Sequence, residues 1–257
     1  MSSLLKKIIL IPYWIWVVLL FLTFLVSSTL IASLLFFVFR SRAQRALIGL
    51  YKIWSFLFLS LSGILVSLIN YEILRKNNPA IVIANHSSNI DMFIGAYSLP
   101  LNTKPLAKME LKKIPLLGFL FATVSVLIDR SNVESRHKGS RLLKAELRKG
   151  NSIFIYPEGT RNKGSKALNP FYDGAFRFAI EGGVPLVAMC TIHARSLCPP
   201  DKLFIKPGFV KVVFLGPYHT AGLSTNDIPK LKQQVFDDMH EVIQKNDPLY
   251  QSSKITS

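Results

Sequence analysis

From Ile8 to Phe39 the chain carries no charged residue, and this run limits what it can fold into more than any other feature. Lys6 and Lys7 precede it; Arg40, Arg42 and Arg45 follow it. A bilayer core needs about 20 apolar residues as a helix, so the run is long enough to span one. No face of it is polar, which argues against the core helix of a soluble domain, and it is too long for an ordinary signal peptide. As a straight helix it would measure roughly 48 Å, well beyond a hydrocarbon core of about 30 Å. Ser27, Ser28, Thr29 and Ser33 therefore mark where a bend, an interface or a shallow hairpin is expected. If the run crosses once, the arginines after it predict a cytoplasmic location for the rest of the chain.

The balance of charge is strongly basic, with a net charge of +16. In a chain with a membrane segment, the natural counterparts are anionic lipid headgroups, phosphorylated substrates and acidic carrier proteins; nucleic acid is not expected. Cys190 and Cys198 fit no metal-ligand spacing and are read as free thiols. No metal or resident cofactor is expected.

A second apolar stretch, Ala46 to Ile69, contains Tyr51, Lys52, Trp54, Phe56 and Phe58 and predicts a helix at the interface or against the first. Residues 1–78 are thus expected to be membrane-inserted or interfacial, and Pro79 opens a body over 79–250. The tail 251–257 is expected to be disordered. Within the body, Ile81–Ala84, Val124–Ile128, Ser152–Tyr156, Leu186–Ile192 and Val210–Leu215 read as strands. Glu134–Lys149, Asp173–Glu181 and Ile228–Gln244 read as helices. The alternation predicts an α/β fold: a mostly parallel central sheet flanked by helices, behind a hydrophobic helical anchor.

In parallel sheets chemistry collects beyond the C-terminal strand ends. Three predicted strands end in reactive sequence: Asn85-His86, Asp129-Arg130, and Pro157-Glu-Gly-Thr-Arg161. His86 and Asp91, five residues apart, form a candidate proton-handling pair, since a carboxylate-held imidazole can take a proton from a hydroxyl. Alone, the pair also fits a structural helix start. Arg161 can grip a phosphate with its planar fork, and Gly159 lets backbone N–H groups approach it.

Four blocks in order resemble the glycerolipid acyltransferase family, in particular the 1-acylglycerol-3-phosphate acyltransferases. They are Asn85-His-Ser-Ser-Asn-Ile-Asp91, Ile128-Asp-Arg130, Tyr156-Pro-Glu-Gly-Thr-Arg161 and Val184-Pro-Leu-Val-Ala188, and the stretch Ala107 to Gly118 is similar too. The resemblance implies that a fatty acyl group passes from acyl-CoA or acyl carrier protein, as co-substrate, to a lysophospholipid hydroxyl. It implies His86 and Asp91 as the catalytic dyad, with Glu158, Gly159, Thr160 and Arg161 binding the glycerol phosphate. Arg130 and Lys108 are expected as further phosphate ligands, and Glu158 is expected to orient a glycerol hydroxyl. Ser87 and Ser88 are read as loop and helix-start residues. Four positions depart from the family pattern: Tyr156 stands for the usual Phe, Val124 for a glycine before the Ile128-Asp-Arg130 block, Ala188 for a proline, and Tyr172 for a lysine. The last bears on the acceptor headgroup. Two other classes compete: a hydrolase, which would want a Gly-x-Ser-x-Gly elbow that does not occur, and a non-catalytic basic membrane adaptor.

Overall fold

The strand Ile81–Ala84 is apolar at every position, so it has to be covered on both faces. In the computed structural model, which describes residues 3–39, 43–129, 133–202 and 204–251, it is the central strand β2 of a seven-stranded sheet. In chain order the elements are α1 (Ser3–Phe39), α2 (Ala43–Leu61), β1 (Ile64–Ile69), α3 (Tyr71–Lys76), β2, α4 (Asp91–Ser98) and β3 (Thr103–Lys108). There follow α5 (Leu117–Val124), β4 (Val126–Ile128), α6 (Val133–Arg148), β5 (Ser152–Ile155), α7 (Gly174–Gly182) and β6 (Leu186–Ile192). The chain closes with α8 (Ala194–Leu197), β7 (Gly208–Tyr218), α9 (Ile228–Asn246) and α10 (Pro248–Gln251). The strand order is β1-β7-β6-β2-β5-β3-β4, and every neighbouring pair is parallel except β6 with β7.

Alternate residues of β2 enter two cores. Ile81 and Ile83 pack with α6, α7 and α9 through Leu143, Phe176 and Val235, while Val82 and Ala84 pack with α2 and α4 through Phe58 and Phe93. Each such side chain, fully buried, contributes about 1.5–3 kcal/mol.

The predicted strands Ile81–Ala84 and Leu186–Ile192 match their observed bounds, and the predicted helices differ by a residue or two. Three segments differ more, the first being the predicted strand Val210–Leu215, which extends at both ends to Gly208–Tyr218. The stretch expected to be one helix to Ile69 is split: α2 ends at Leu61, and Gly63, at φ 68°, turns the chain into β1, an edge strand. The sheet therefore starts upstream of Pro79. Val124 ends α5 rather than opening β4. Residues 252–257, in the tail expected to be disordered, lie outside the described residues.

Helix α1 is continuous across Ser27–Thr29, where a bend or hairpin was among the expectations. The hydroxyls of Ser27 and Thr29 donate back to the carbonyls of Thr23 and Leu25 at 2.6 and 2.7 Å, which satisfies them inside the helix. Residues Leu10–Val38 are long and apolar enough to cross a membrane. One stripe is covered: Tyr13 Oη and Trp16 Nε1 donate to the carbonyls of Ser62 and Leu61, and Val17 and Phe24 are buried. Between Leu10 and Val38 the remaining surface is largely apolar and open, with Leu30, Leu34 and Phe37 exposed. Phe24 meets Phe93 edge-on at 5.8 Å, and Phe58 of α2 stacks on Phe93 at 4.2 Å. The N-terminal helices are thereby fixed to α4, the helix that begins at Asp91. A polar tie reinforces them: Lys104 of β3 pairs with Glu146 of α6 at 2.6 Å and donates to Gln44 of α2, whose amide donates to Thr123 O.

Candidate active site

Because β2, β5, β3 and β4 run parallel, residues following each strand emerge along one edge of the sheet. His86 follows β2, Glu158 follows β5, Lys108 ends β3 and Asp129 follows β4. Lys108 lies two strands from β2, about 10 Å along the sheet, and is exposed. Arg130 lies outside the described residues.

Asp91 holds the loop that carries His86. Its Oδ2 accepts three hydrogen bonds of 2.8 Å, from the imidazole Nδ1 and from the backbone N–H groups of Ser87 and Ser88. An oxygen surrounded by donors makes Nδ1–H the donating partner and leaves the lone pair on Nε2. Among the described residues Nε2 has no hydrogen-bond partner. The Asp91 side chain is fully buried while that of His86 is 22% exposed, so the charge is sheltered and the base reachable. Ser87 and Ser88 are loop residues, as expected: their amides serve Asp91, and Ser88 Oγ donates to Cys198 O at 2.6 Å.

The other groups in this neighbourhood also hold His86. Glu158 is buried; its Oε1 accepts from His86 N at 2.8 Å and its Oε2 from Asn169 N at 2.9 Å. Both of its carboxylate oxygens are thus engaged by backbone N–H groups of the two loops. A carboxylate set between two parallel strand ends is occupied in tying the following loops together. Burial pushes its carboxyl up to about 7, against the pull of the two N–H groups, and the Asp91 charge adds to the rise. The next loop closes back on the first, with Asn162 N donating to His86 O at 2.6 Å. Asn85 completes the frame: its amide donates to Thr191 O, and its carbonyl accepts from Thr191 N and Oγ1 on β6.

Tyr156 stacks on the imidazole with ring centroids 4.0 Å apart and planes 18° apart. Its hydroxyl is buried and has no hydrogen-bond partner among the described residues. Burial, with the Asp91 charge adding to it, pushes the phenol well up. Neither the Tyr156 contact nor the Asn85 and Asn162 frame was read from the sequence. The only available signal was the position of Asn85 and Tyr156 inside blocks already singled out, and of Asn162 directly after one.

Gly159 adopts φ 69°, a left-handed conformation that favours glycine, and turns the chain so that Thr160 and Arg161 are exposed beside the His86 loop. Arg161 pairs with no acid among the described residues. Gly159, Thr160 and Arg161 thus offer a flexible backbone, a hydroxyl and a free guanidinium, a combination suited to an anionic oxygen cluster. Among the described residues no three His, Cys, Asp or Glu side chains are grouped to hold a metal ion.

Comparison with known proteins bears on this geometry. The acyltransferase family model matches residues 66–192, which include the His86 and Glu158 loops. The 1-acyl-sn-glycerol-3-phosphate acyltransferase of Haemophilus influenzae is 34% identical over 175 residues, covering 67% of this chain and 72% of the relative. The chain belongs to the acyltransferase family. The enzyme of the same name from Saccharomyces cerevisiae is 30% identical over 189 residues, 71% of this chain and 61% of its own length. The match thus spans about three fifths of that yeast relative. The crystal structure of the 1-acyl-sn-glycerophosphate acyltransferase of Thermotoga maritima superposes with a TM-score of 0.74 at 21% identity, covering 95% of this chain and 97% of the other. The acyltransferase fold, helices α1 and α2 included, is therefore shared across nearly the whole chain.

Proposed function

We propose that this acyltransferase moves a fatty acyl chain from acyl-CoA or acyl carrier protein to the sn-2 hydroxyl of 1-acylglycerol 3-phosphate, giving phosphatidic acid at the cytoplasmic face of a membrane. The observation that carries the reading is the Asp91–His86 contact, which presents a basic Nε2 at the exposed edge of the sheet. Nε2 takes the proton as the acceptor oxygen attacks the thioester carbonyl. Asp91 stabilises the imidazolium, the C–S bond breaks, and the imidazolium returns the proton to the departing thiolate. No enzyme group is acylated. Thr160 and Arg161, with the Gly159 backbone, take the acceptor phosphate; Lys108 adds positive charge along the same edge, and the family resemblance adds Arg130 as a further phosphate ligand. The names of the yeast and Haemophilus relatives support the acceptor, and the apolar surface of α1 supports delivery of a substrate dissolved in lipid.

A second acceptor class, another lysophospholipid or a lyso-aminolipid, rests on Tyr172. This side chain is exposed, and its backbone N–H bonds Pro157 O, beside Glu158. The test is purified protein in detergent with labelled acyl thioester and a panel of lysolipids. Transfer to 1-acylglycerol 3-phosphate above the others is expected, and Arg161→Ala should raise the KM for phosphate-bearing acceptors. A preference for an uncharged or amino-bearing acceptor would move the assignment to the second class.

A further inference from the structure

The catalytic reading uses His86 and Asp91 but leaves the ring against His86 without a role. Tyr156 is held there rigidly. Its ring meets Phe154 edge-on at 4.8 Å. From the other side α4 closes over both: a Cβ added at Gly95 would lie 3.2 Å from the Phe154 ring and 3.8 Å from the Tyr156 hydroxyl. Among the described residues the phenol oxygen gains no hydrogen bond from this seat, and an orphaned buried hydroxyl is costly. The aromatic face is therefore what the seat supplies.

Asp91 fixes one atom of the imidazole, and one hydrogen bond still leaves a ring free to rock about that contact. A parallel ring at 4.0 Å removes the rocking by covering one face of the imidazole. It also sets a negative π face against the ring that becomes cationic in mid-reaction. We infer that Tyr156 is a positioning residue for the general base: its stacked ring holds the His86 imidazole in line with Asp91 and faces the positive charge that the ring gains in mid-reaction. The inference rests on the transferase reading for its kinetic consequence, but the ring contact can be read without substrate.

The experiment compares wild type, Tyr156→Phe and Tyr156→Leu, as full-length protein in detergent. Phe keeps the face and loses the orphaned hydroxyl; Leu keeps bulk and loses the face. Stacking should shift the His86 Hε1 resonance upfield in wild type and in Tyr156→Phe, and this shift should vanish in Tyr156→Leu. In acyl transfer, Tyr156→Leu should lose about 3–30-fold in kcat with KM for the acceptor unchanged, while Tyr156→Phe stays within about threefold of wild type. A kcat that survives in Tyr156→Leu, or an Hε1 shift common to all three proteins, would overturn the inference. Equal losses in Phe and Leu would do so too, by assigning the effect to the hydroxyl. A wild-type protein that acylates no lysolipid would instead sink the transferase reading, and the Hε1 comparison would still decide whether Tyr156 holds the ring.

Discussion

Replacing Asp91 with asparagine tests how the dyad is built. In an unconstrained site the carboxamide could turn its NH2 toward the imidazole and force the wrong tautomer. Here Asp91 Oδ2 also accepts the N–H groups of Ser87 and Ser88, both buried. An NH2 in that position would face two donors, so the asparagine oxygen has to occupy it. Geometry and tautomer are thereby kept, and only the charge is lost. Opposite unit charges about 4 Å apart attract by about 4 kcal/mol at an effective dielectric constant of 20, and the amide dipole returns a part of that. A loss of about 3–4 kcal/mol in the step that forms the imidazolium is roughly 10²–10³ in kcat, with KM nearly unchanged. Steady-state transfer with saturating thioester and varied acceptor separates the two constants. A kcat for Asp91→Asn within fivefold of wild type would refute the assignment of an electrostatic role to Asp91. Asp91→Ala is a harsher change: it strands three donors at about 1–3 kcal/mol each and should lower stability as well as rate.

Glu158 gives the protein a pH signature. Its carboxyl stands at about 7 when folded against an ordinary 4.5, so between those values the folded state holds a proton that the unfolded state has released. Stability should therefore fall by about 3 kcal/mol as pH rises through this window, read as denaturation midpoints at pH 5 and pH 8. In Glu158→Gln that fall should disappear, and kcat should drop about tenfold because one amide end now faces a backbone N–H; an unchanged pH dependence would show that another group is responsible. At Glu146, burial pushes the carboxyl up, but Lys104, Lys149 and Asn151 outweigh it and hold it at about 2. This contribution is present above pH 4.5 and is lost as pH falls toward 2. Lys104→Met should remove the largest share of it, at about 1–3 kcal/mol, and speed amide exchange at the start of α2; equal exchange there would mean that the Lys104–Gln44 bond does not secure the helix.

Strands whose apolar residues were bounded by turn signals could be read directly, which is why Ile81–Ala84 and Leu186–Ile192 kept their bounds. The two that escaped lack that signal. Thr103–Lys108 contains Pro105 and two lysines, a composition that argues against a strand, and Ile64–Ile69 continues the apolar character of the helix before it. Candidate site residues were legible because they follow strand ends. Their exact occupation was not, because it depends on which strands are neighbours. Only the β6-β2-β5 order brings Asn85 onto Thr191 and Glu158 onto the backbone of His86. Glu158, which the family resemblance places in the substrate-binding block, is also tied to this frame by two backbone N–H groups, an engagement that only the strand order reveals. The hydroxyls of Ser27 and Thr29 were ambiguous for a similar reason: a helix can absorb them through its own carbonyls, and composition does not reveal whether it does.

The central claim is that His86 takes the proton from the acceptor hydroxyl. Its most direct test is the transfer of a labelled acyl group from a thioester to 1-acylglycerol 3-phosphate by wild type and by His86→Ala, with folding of both checked by their thermal transitions. Labelled phosphatidic acid should form with wild type and fall by about 10²–10⁴ in His86→Ala, in line with the loss of a general base. Wild-type rates in the folded His86→Ala protein would contradict the account.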